Sequence, residues 1–109
     1  MIELLLVDDH AVVREGYRRL LERRPDLHVA AEAGDAEEAL QHLRAFPIDL
    51  IVLDLSLPGM GGIELTRRIL QRFPEAKILA FSMHRDPLFA SQALRAGALG
   101  YVTKSSTPE

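Results

Sequence analysis

The chain has 109 residues, 48% hydrophobic and 27% charged, with a net charge of −3, which describes one globular domain with a core of its own rather than a disordered segment. It has no cysteine, so disulfides, zinc–thiolate centres and cysteine nucleophiles are excluded and an intracellular setting is allowed. No apolar run approaches the about 20 residues of a membrane span, MIELLLVDD lacks the flank and cleavage site of a signal peptide, and the mild acidity points away from nucleic acid as a direct partner of this segment.

Ile2–Val7 reads as a buried strand, and it runs straight into two adjacent acids, Asp8 and Asp9. A segment of helical period follows, with Val13, Tyr17, Leu20 and Leu21 on one face. Leu27–Ala33 is a more mixed strand, interrupted by His28 and Glu32, and suits a place near a sheet edge. Ala39, Leu40, Leu43 and Phe46 stripe a second helix, and residues 48–53 form a third strand of almost wholly apolar character. Thr66, Ile69, Leu70 and Phe73 mark a third helix, residues 77–81 a fourth strand, and Phe89, Ala93 and Leu94 a fourth helix. Pro25, Pro47 and Pro74 lie near the ends of the first three helices, where proline stops the helical hydrogen bonding. Asp86-Pro87 is expected to open the fourth helix as N-cap and first residue, and Gly97 to close it in a left-handed turn. Residues 98–102 complete the series as a fifth strand. After it, Ser105-Ser106-Thr107-Pro108-Glu109 reads like the start of a helix that does not follow.

This βαβαβαβαβ rhythm is that of an α/β protein, a three-layer sandwich on a five-stranded parallel sheet with right-handed helical crossovers. All strand C-termini of such a sheet share one edge, where ligands bind. That edge is expected to gather Asp8 and Asp9 from strand one, Asp54 from strand three, Ser82 from strand four and Lys104 beyond strand five, provided those strands are neighbours. Each residue also has a plainer reading. Asp8 or Asp9 can cap the next helix, Asp54 can serve the Pro58-Gly59 turn region, Ser82 can be a local loop hydroxyl, and Lys104 a solvated surface lysine. Capping does not require that all five reach one rim. Three acids crowded together repel, and a divalent cation such as Mg²⁺ relieves that repulsion with carboxylate oxygens and waters. A carboxylate beside it is a competent nucleophile toward a phosphoryl group.

These residues resemble the receiver domain of two-component response regulators, in the NarL/FixJ-like group. The likeness rests on LLLVDDH, on IVLDLSLPGMGG around Asp54, on ILAFSMH around Ser82 and on GALGYVTK ending at Lys104, and it spans residues 1–104. It implies the CheY-like, flavodoxin-like sheet order 2-1-3-4-5. It also implies that Asp54 accepts phosphate from a histidine kinase. Asp9, Asp54 and the Ser56 carbonyl would hold Mg²⁺, with Asp8 assisting through water. Ser82 and Lys104 would contact the phosphoryl group, and Tyr101 would be an aromatic switch, its alternative being a half-exposed strand tyrosine. Ser56 and His84, each two residues past a pocket residue, would tune the lifetime of the phosphate.

Two departures accompany the resemblance. Ser105 follows Lys104 where many receivers have proline, and the fifth helix is missing, so residues 1–109 read as a receiver domain truncated at the start of that helix. The apolar flank of helix one is then expected to lie open, favouring a homodimer, a swapped oligomer or a weakly stable fold. Arg14, Arg18, Arg19, Arg23 and Arg24 crowd that helix either as a docking surface for an acidic partner or as a solvated face with pairs such as Glu15–Arg19. His10, His28, His42 and His84 show no metal spacing. The function implied is a cytoplasmic signalling module without external turnover, coupled to a helix-turn-helix output outside this chain. The competing readings are an aspartyl-phosphate hydrolase, a flavodoxin-type cofactor binder, for which His10-Ala11-Val12-Val13 supplies no phosphate loop, and an unphosphorylated interaction domain with a vestigial pocket.

Overall fold

Leu4, Leu5, Leu6 and Val7 are each at most 1% exposed. Side chains alternate across a strand, so four buried in succession require cover on both faces. In the computed structural model, helices on both sides of a five-stranded parallel sheet provide it. The structure describes residues 1–57, 59–82 and 87–103, without the side chains of Pro87, Phe89 and Thr103. The expectations for Pro58, His84, Asp86, Lys104, residues 105–109 and the Phe89 side chain therefore lie outside the described residues.

The elements in chain order are β1 (Ile2–Val7), α1 (Ala11–Leu21), β2 (Leu27–Ala33), α2 (Ala36–Ala45), β3 (Leu50–Asp54), α3 (Gly62–Arg72), β4 (Ile78–Ser82), α4 (Pro87–Ala96) and β5 (Gly100–Thr103). The sheet order is β2-β1-β3-β4-β5 with every pair parallel, the order that the resemblance implied. β2, the mixed strand, is at the edge. Among the described residues no helix is long and apolar enough to cross a membrane.

Three strands have limits that differ from those read off the apolar runs, because pairing rather than hydropathy defines a strand. β3 starts at Leu50 and reaches Asp54, and β4 reaches Ser82, so both extend to the polar residues at the rim. β5 starts at Gly100 because Ala98 is taken up by the end of α4. There the Ala98 N–H donates to the Ala93 carbonyl (3.1 Å) and the Gly97 N–H to the Leu94 carbonyl (3.0 Å), around a Gly97 φ of 115°. This paired closure is the Schellman pattern, and its positive φ favours glycine. α2 is opened by Asp35, whose carboxylate accepts from the Glu38 N–H (2.8 Å) while Glu38 Oε1 accepts from the Gly34 N–H (2.9 Å), a cap that contributes about 1 kcal/mol.

The sheet separates two cores. Leu5, Val7, Leu53, Leu65, Ile69, Ile78 and their neighbours pack under α2, α3 and α4. Leu4, Leu6 and Val29 pack with Tyr17, Leu21 and Val52 on the side of α1, where the Tyr17 ring stands 5.3 Å from that of Phe81. The stripe on α4 is narrower than expected: Ala93 is buried, but Leu94, one helical step of about 100° away, is half exposed. α1 buries no residue fully. Val13 and Leu20 are 37% and 41% exposed and line a recess of about 300 Å³ with Gly16 and Tyr17. α1 is tied to β2 by Arg14 and Arg18, whose Nε atoms lie 3.0 and 3.1 Å from the two oxygens of Glu32. The Glu15–Arg19 pair also forms, at 3.2 Å. It holds the Glu15 carboxyl below the usual carboxylate range.

Gly62, the first residue of α3, is wedged beneath the exit of β3. A Cβ there would stand 2.4 Å from Leu55 Cα and 2.7 Å from the Asp54 carbonyl oxygen, and both are backbone atoms that cannot swing aside. We expect Gly62→Ala to lower the unfolding free energy by about 1–3 kcal/mol, read as a lower urea midpoint at unchanged slope.

On the sheet edge, His28 Nδ1 lies 2.6 Å from Glu3 Oε1 across the β1–β2 pair. That hydrogen bond raises the imidazole pKa above the usual 6.5, aided by the charges of Glu3 and Glu22 and opposed by partial desolvation. A raised folded pKa means that the pair's contribution to stability is fully present below about 6.5 and is lost as pH rises through the raised value. Histidine NMR titration should place His28 higher in wild type than in Glu3→Gln. The stability difference between the two proteins should disappear on the alkaline side.

Candidate functional site

Because the strands are parallel and Val7 is in register with Leu53, the next residue on each strand, Asp8 and Asp54, comes out side by side. The ladder continues just past the strand ends. The Asp8 N–H donates to the Ala33 carbonyl (3.0 Å) and the Leu55 N–H to the Phe81 carbonyl (2.9 Å), so backbone holds both acids in place. The Asp8 carbonyl also accepts from Arg14 Nη1 at 2.6 Å. Both carboxylates bend their own loops: Asp8 Oδ1 accepts from the His10 N–H and Asp54 Oδ1 from the Ser56 N–H, each at 2.9 Å, the two-residue turn typical of Asp. The turn reading of Asp54 therefore holds together with its place at the rim. Neither Asp8 nor Asp9 is the N-cap of α1. That position belongs to His10, which makes no side-chain cap bond.

Asp8 and Asp54 are 0% exposed. Asp9 retains 27% side-chain exposure, and its Oδ1 lies 3.2 Å from His10 Nδ1. Asp8, Asp9, His10 and Asp54 each offer one ligand atom, and all four atoms lie within 4.8 Å of one another. Two oxygens that share one Mg²⁺ at about 2.1 Å stand about 3–4.2 Å apart, so small side-chain rotations bring the carboxylates onto one ion. Hard oxygen donors are what Mg²⁺ prefers, and the residues present fit it.

Ser82 is fully buried at the end of β4, next to the strand that carries Asp54. Its Oγ lies 3.4 Å from Oγ of Ser56, so the hydroxyl at the exit of β4 meets the loop after β3. On β5, Tyr101 pairs in register with Ala80 of β4 and is half buried against the main core. Of the residues singled out from the sequence, the structure brings Asp8, Asp9, Asp54, Ser56 and Ser82 to one rim and sets Tyr101 one strand further on. Lys104 lies outside the described residues. A recess of about 710 Å³ among Leu43, Phe46, Ile48, Phe73 and Lys77 is at the opposite edge, where strands begin.

Three contributors to the rim escape a reading of the sequence alone. His10 shows no metal spacing in the sequence, whereas in space its Nδ1 joins the ligand atoms of Asp8, Asp9 and Asp54. Arg14 was one of several arginines on a charged face, and only the fold shows it reaching the Asp8 carbonyl. Gly62 is the last residue of the IVLDLSLPGMGG motif with no role assigned to it there, although its missing Cβ is what lets α3 approach Asp54.

Comparison with known proteins agrees with this geometry. The family described as response regulator receiver domain matches residues 4–109. Response regulator UvrY of Escherichia coli O6:H1 is 39% identical over 109 residues, all of this chain and 50% of UvrY. The chain thus spans about half the length of the curated relatives it matches. A crystal structure of a two-component response regulator of the LuxR family from Aurantimonas sp. SI85-9A1 superposes with a TM-score of 0.94 at 57% identity, covering 97% of this chain and 76% of that one. RcsB from Salmonella enterica serovar Typhimurium, bound to promoter rprA in the presence of the phosphomimetic BeF3−, does so at 0.90 and 29% identity, covering 98% and 62%. With its sheet order, its acid-lined rim and these relatives in agreement, the chain belongs to the family of response regulator receiver domains.

Proposed function

We propose that this domain takes a phosphoryl group onto the Asp54 carboxylate from the phosphohistidine of a histidine kinase and passes the change to a transcriptional output. The observation that carries this reading is the convergence of Asp8, Asp9 and Asp54 on one rim, two of them without solvent exposure. Three carboxylates this close repel one another, and a bound cation relieves that repulsion. Asp9, Asp54 and the Ser56 carbonyl would hold Mg²⁺, with Asp8 acting through a water. Mg²⁺, when bound, neutralises charge on the transferring phosphoryl oxygens.

In this scheme an Asp54 oxygen forms the new O–P bond as the P–N bond of the phosphohistidine breaks, and the imidazole leaves with the bonding pair. The buried Ser82 hydroxyl donates to one phosphoryl oxygen and the Lys104 ammonium to another. Ser56, within 3.4 Å of Ser82, and His84 then influence the approach of hydrolytic water. Movement of Ser82 toward the phosphoryl group frees space for Tyr101 to turn inward, and the surface of α4 and β5 changes with it. The chemistry is confined to the domain's own aspartate, with no external turnover.

The half-length match to UvrY supports reading residues 1–109 as the receiver part of a longer regulator. The promoter-bound RcsB relative supports a DNA-binding output and a cytoplasmic setting. The open flank of α1 supports self-association.

With Mg²⁺ and acetyl phosphate, intact mass spectrometry should show one added phosphoryl group on wild type and none on Asp54→Asn, and chelation of Mg²⁺ should abolish the adduct. No adduct on wild type under conditions where Mg²⁺ binding is measured would return the pocket to a vestigial one. In sedimentation velocity the chain should run as a dimer or larger species, and Leu20→Glu should shift it to monomer. A wild type that sediments as a stable monomer contradicts the association.

A further inference from the structure

His10 is the one member of the four-residue rim cluster that is not a carboxylate. Its Nδ1 lies 3.2 Å from Asp9 Oδ1 and 3.5 Å from Asp8 Oδ1. Its backbone is pinned to the Asp8 carboxylate by the N–H bond of 2.9 Å, so the root of the ring is set relative to the acids. The ring has no capping duty on α1 and is 65% exposed, leaving its torsions open to adjust toward an ion. An oxygen-only cluster suits Mg²⁺, whereas an imidazole nitrogen among carboxylates suits Zn²⁺ and neighbouring first-row ions.

We propose that His10 is a metal ligand in this pocket, and that it makes the receiver site a receptor for a Zn²⁺-class transition ion as well as for Mg²⁺. The proposal rests on the metal reading given under the proposed function. Any nitrogen–oxygen site prefers Zn²⁺ to Mg²⁺ to some degree, so the informative quantity is the part of the Zn²⁺ affinity that depends on His10. The simpler role for the ring, a hydrogen bond to the acids without a bond to the ion, produces no such loss.

The test is calorimetric titration of wild type, His10→Ala and His10→Asn with Mg²⁺ and, separately, with Zn²⁺ at one fixed pH. The imidazole NMR signals are followed in the Zn²⁺ series. His10 caps nothing and is exposed, so both variants should fold, and asparagine retains a residue suited to a helix start. The expected result is a loss of Zn²⁺ affinity of about tenfold or more in both variants, Mg²⁺ affinity changed less than about twofold, and the His10 ring signal shifting with the first equivalent of Zn²⁺. Equal Zn²⁺ affinity in wild type and variants, or an unmoved His10 signal at saturation while Mg²⁺ still binds, overturns the role of His10 alone. Failure of both ions to bind wild type overturns it together with the metal reading.

Discussion

Two carboxylates of zero exposure, Asp8 and Asp54, stand on adjacent parallel strands. Taking such groups out of water costs several kcal/mol each unless opposite charge or directed donors offset it. Much of the rim is arranged around that cost. Each acid uses one oxygen to satisfy an N–H two residues on, each loop is held by backbone bonds to the next strand, and Arg14 reaches over to the Asp8 carbonyl. These bonds fix the backbone of both acids before any ligand could bind. Such preorganisation is what the proposed phosphoryl transfer would most require.

The stiffness is inherited from the packing below. Leu5, Val7 and Leu53 fill the main core, Leu4, Leu6 and Val52 the smaller one, so β1 and β3 are clamped from both faces immediately before the residues that carry the acids. Gly62 allows α3 to press against the Asp54 loop, joining the larger core to the site. The face of α1 is different in kind. It has fewer buried apolar contacts, and its attachment to β2 relies on partly exposed pairs from Arg14 and Arg18 to Glu32. Exposed pairs contribute little each and are screened by salt. Stability is thus concentrated on the side of the sheet that faces α2, α3 and α4.

Most of the architecture was legible in the residue pattern. Apolar runs alternating with helical stripes identified five strands and four helices, prolines marked the helix exits, and His28 and Glu32 betrayed β2 as the edge strand, all found in the structure. These features were readable because they are local: a period of two or of about 3.6, or the backbone limits of proline and glycine. The strand ends at Asp54 and Ser82 were missed by a residue because pairing carries a strand on into polar sequence. The half-exposure of Leu94 escaped the helical stripe because exposure depends on which neighbours cover a helix.

The same division holds at the site. The sequence by itself determined which chemistry-bearing residues sit at strand exits: Asp8, Asp9, Asp54 and Ser82 follow directly from where the apolar runs stop. Only the tertiary structure decided that β1 and β3 are neighbours in a register that sets Asp8 beside Asp54, and that His10 rather than another histidine joins them. Only it showed that Arg14 and Gly62 support the rim. The physical reason is range. Side-chain type and periodicity are properties of a few consecutive residues, whereas register, close approach and shared burial arise between segments tens of residues apart and exist only once the sheet has been assembled.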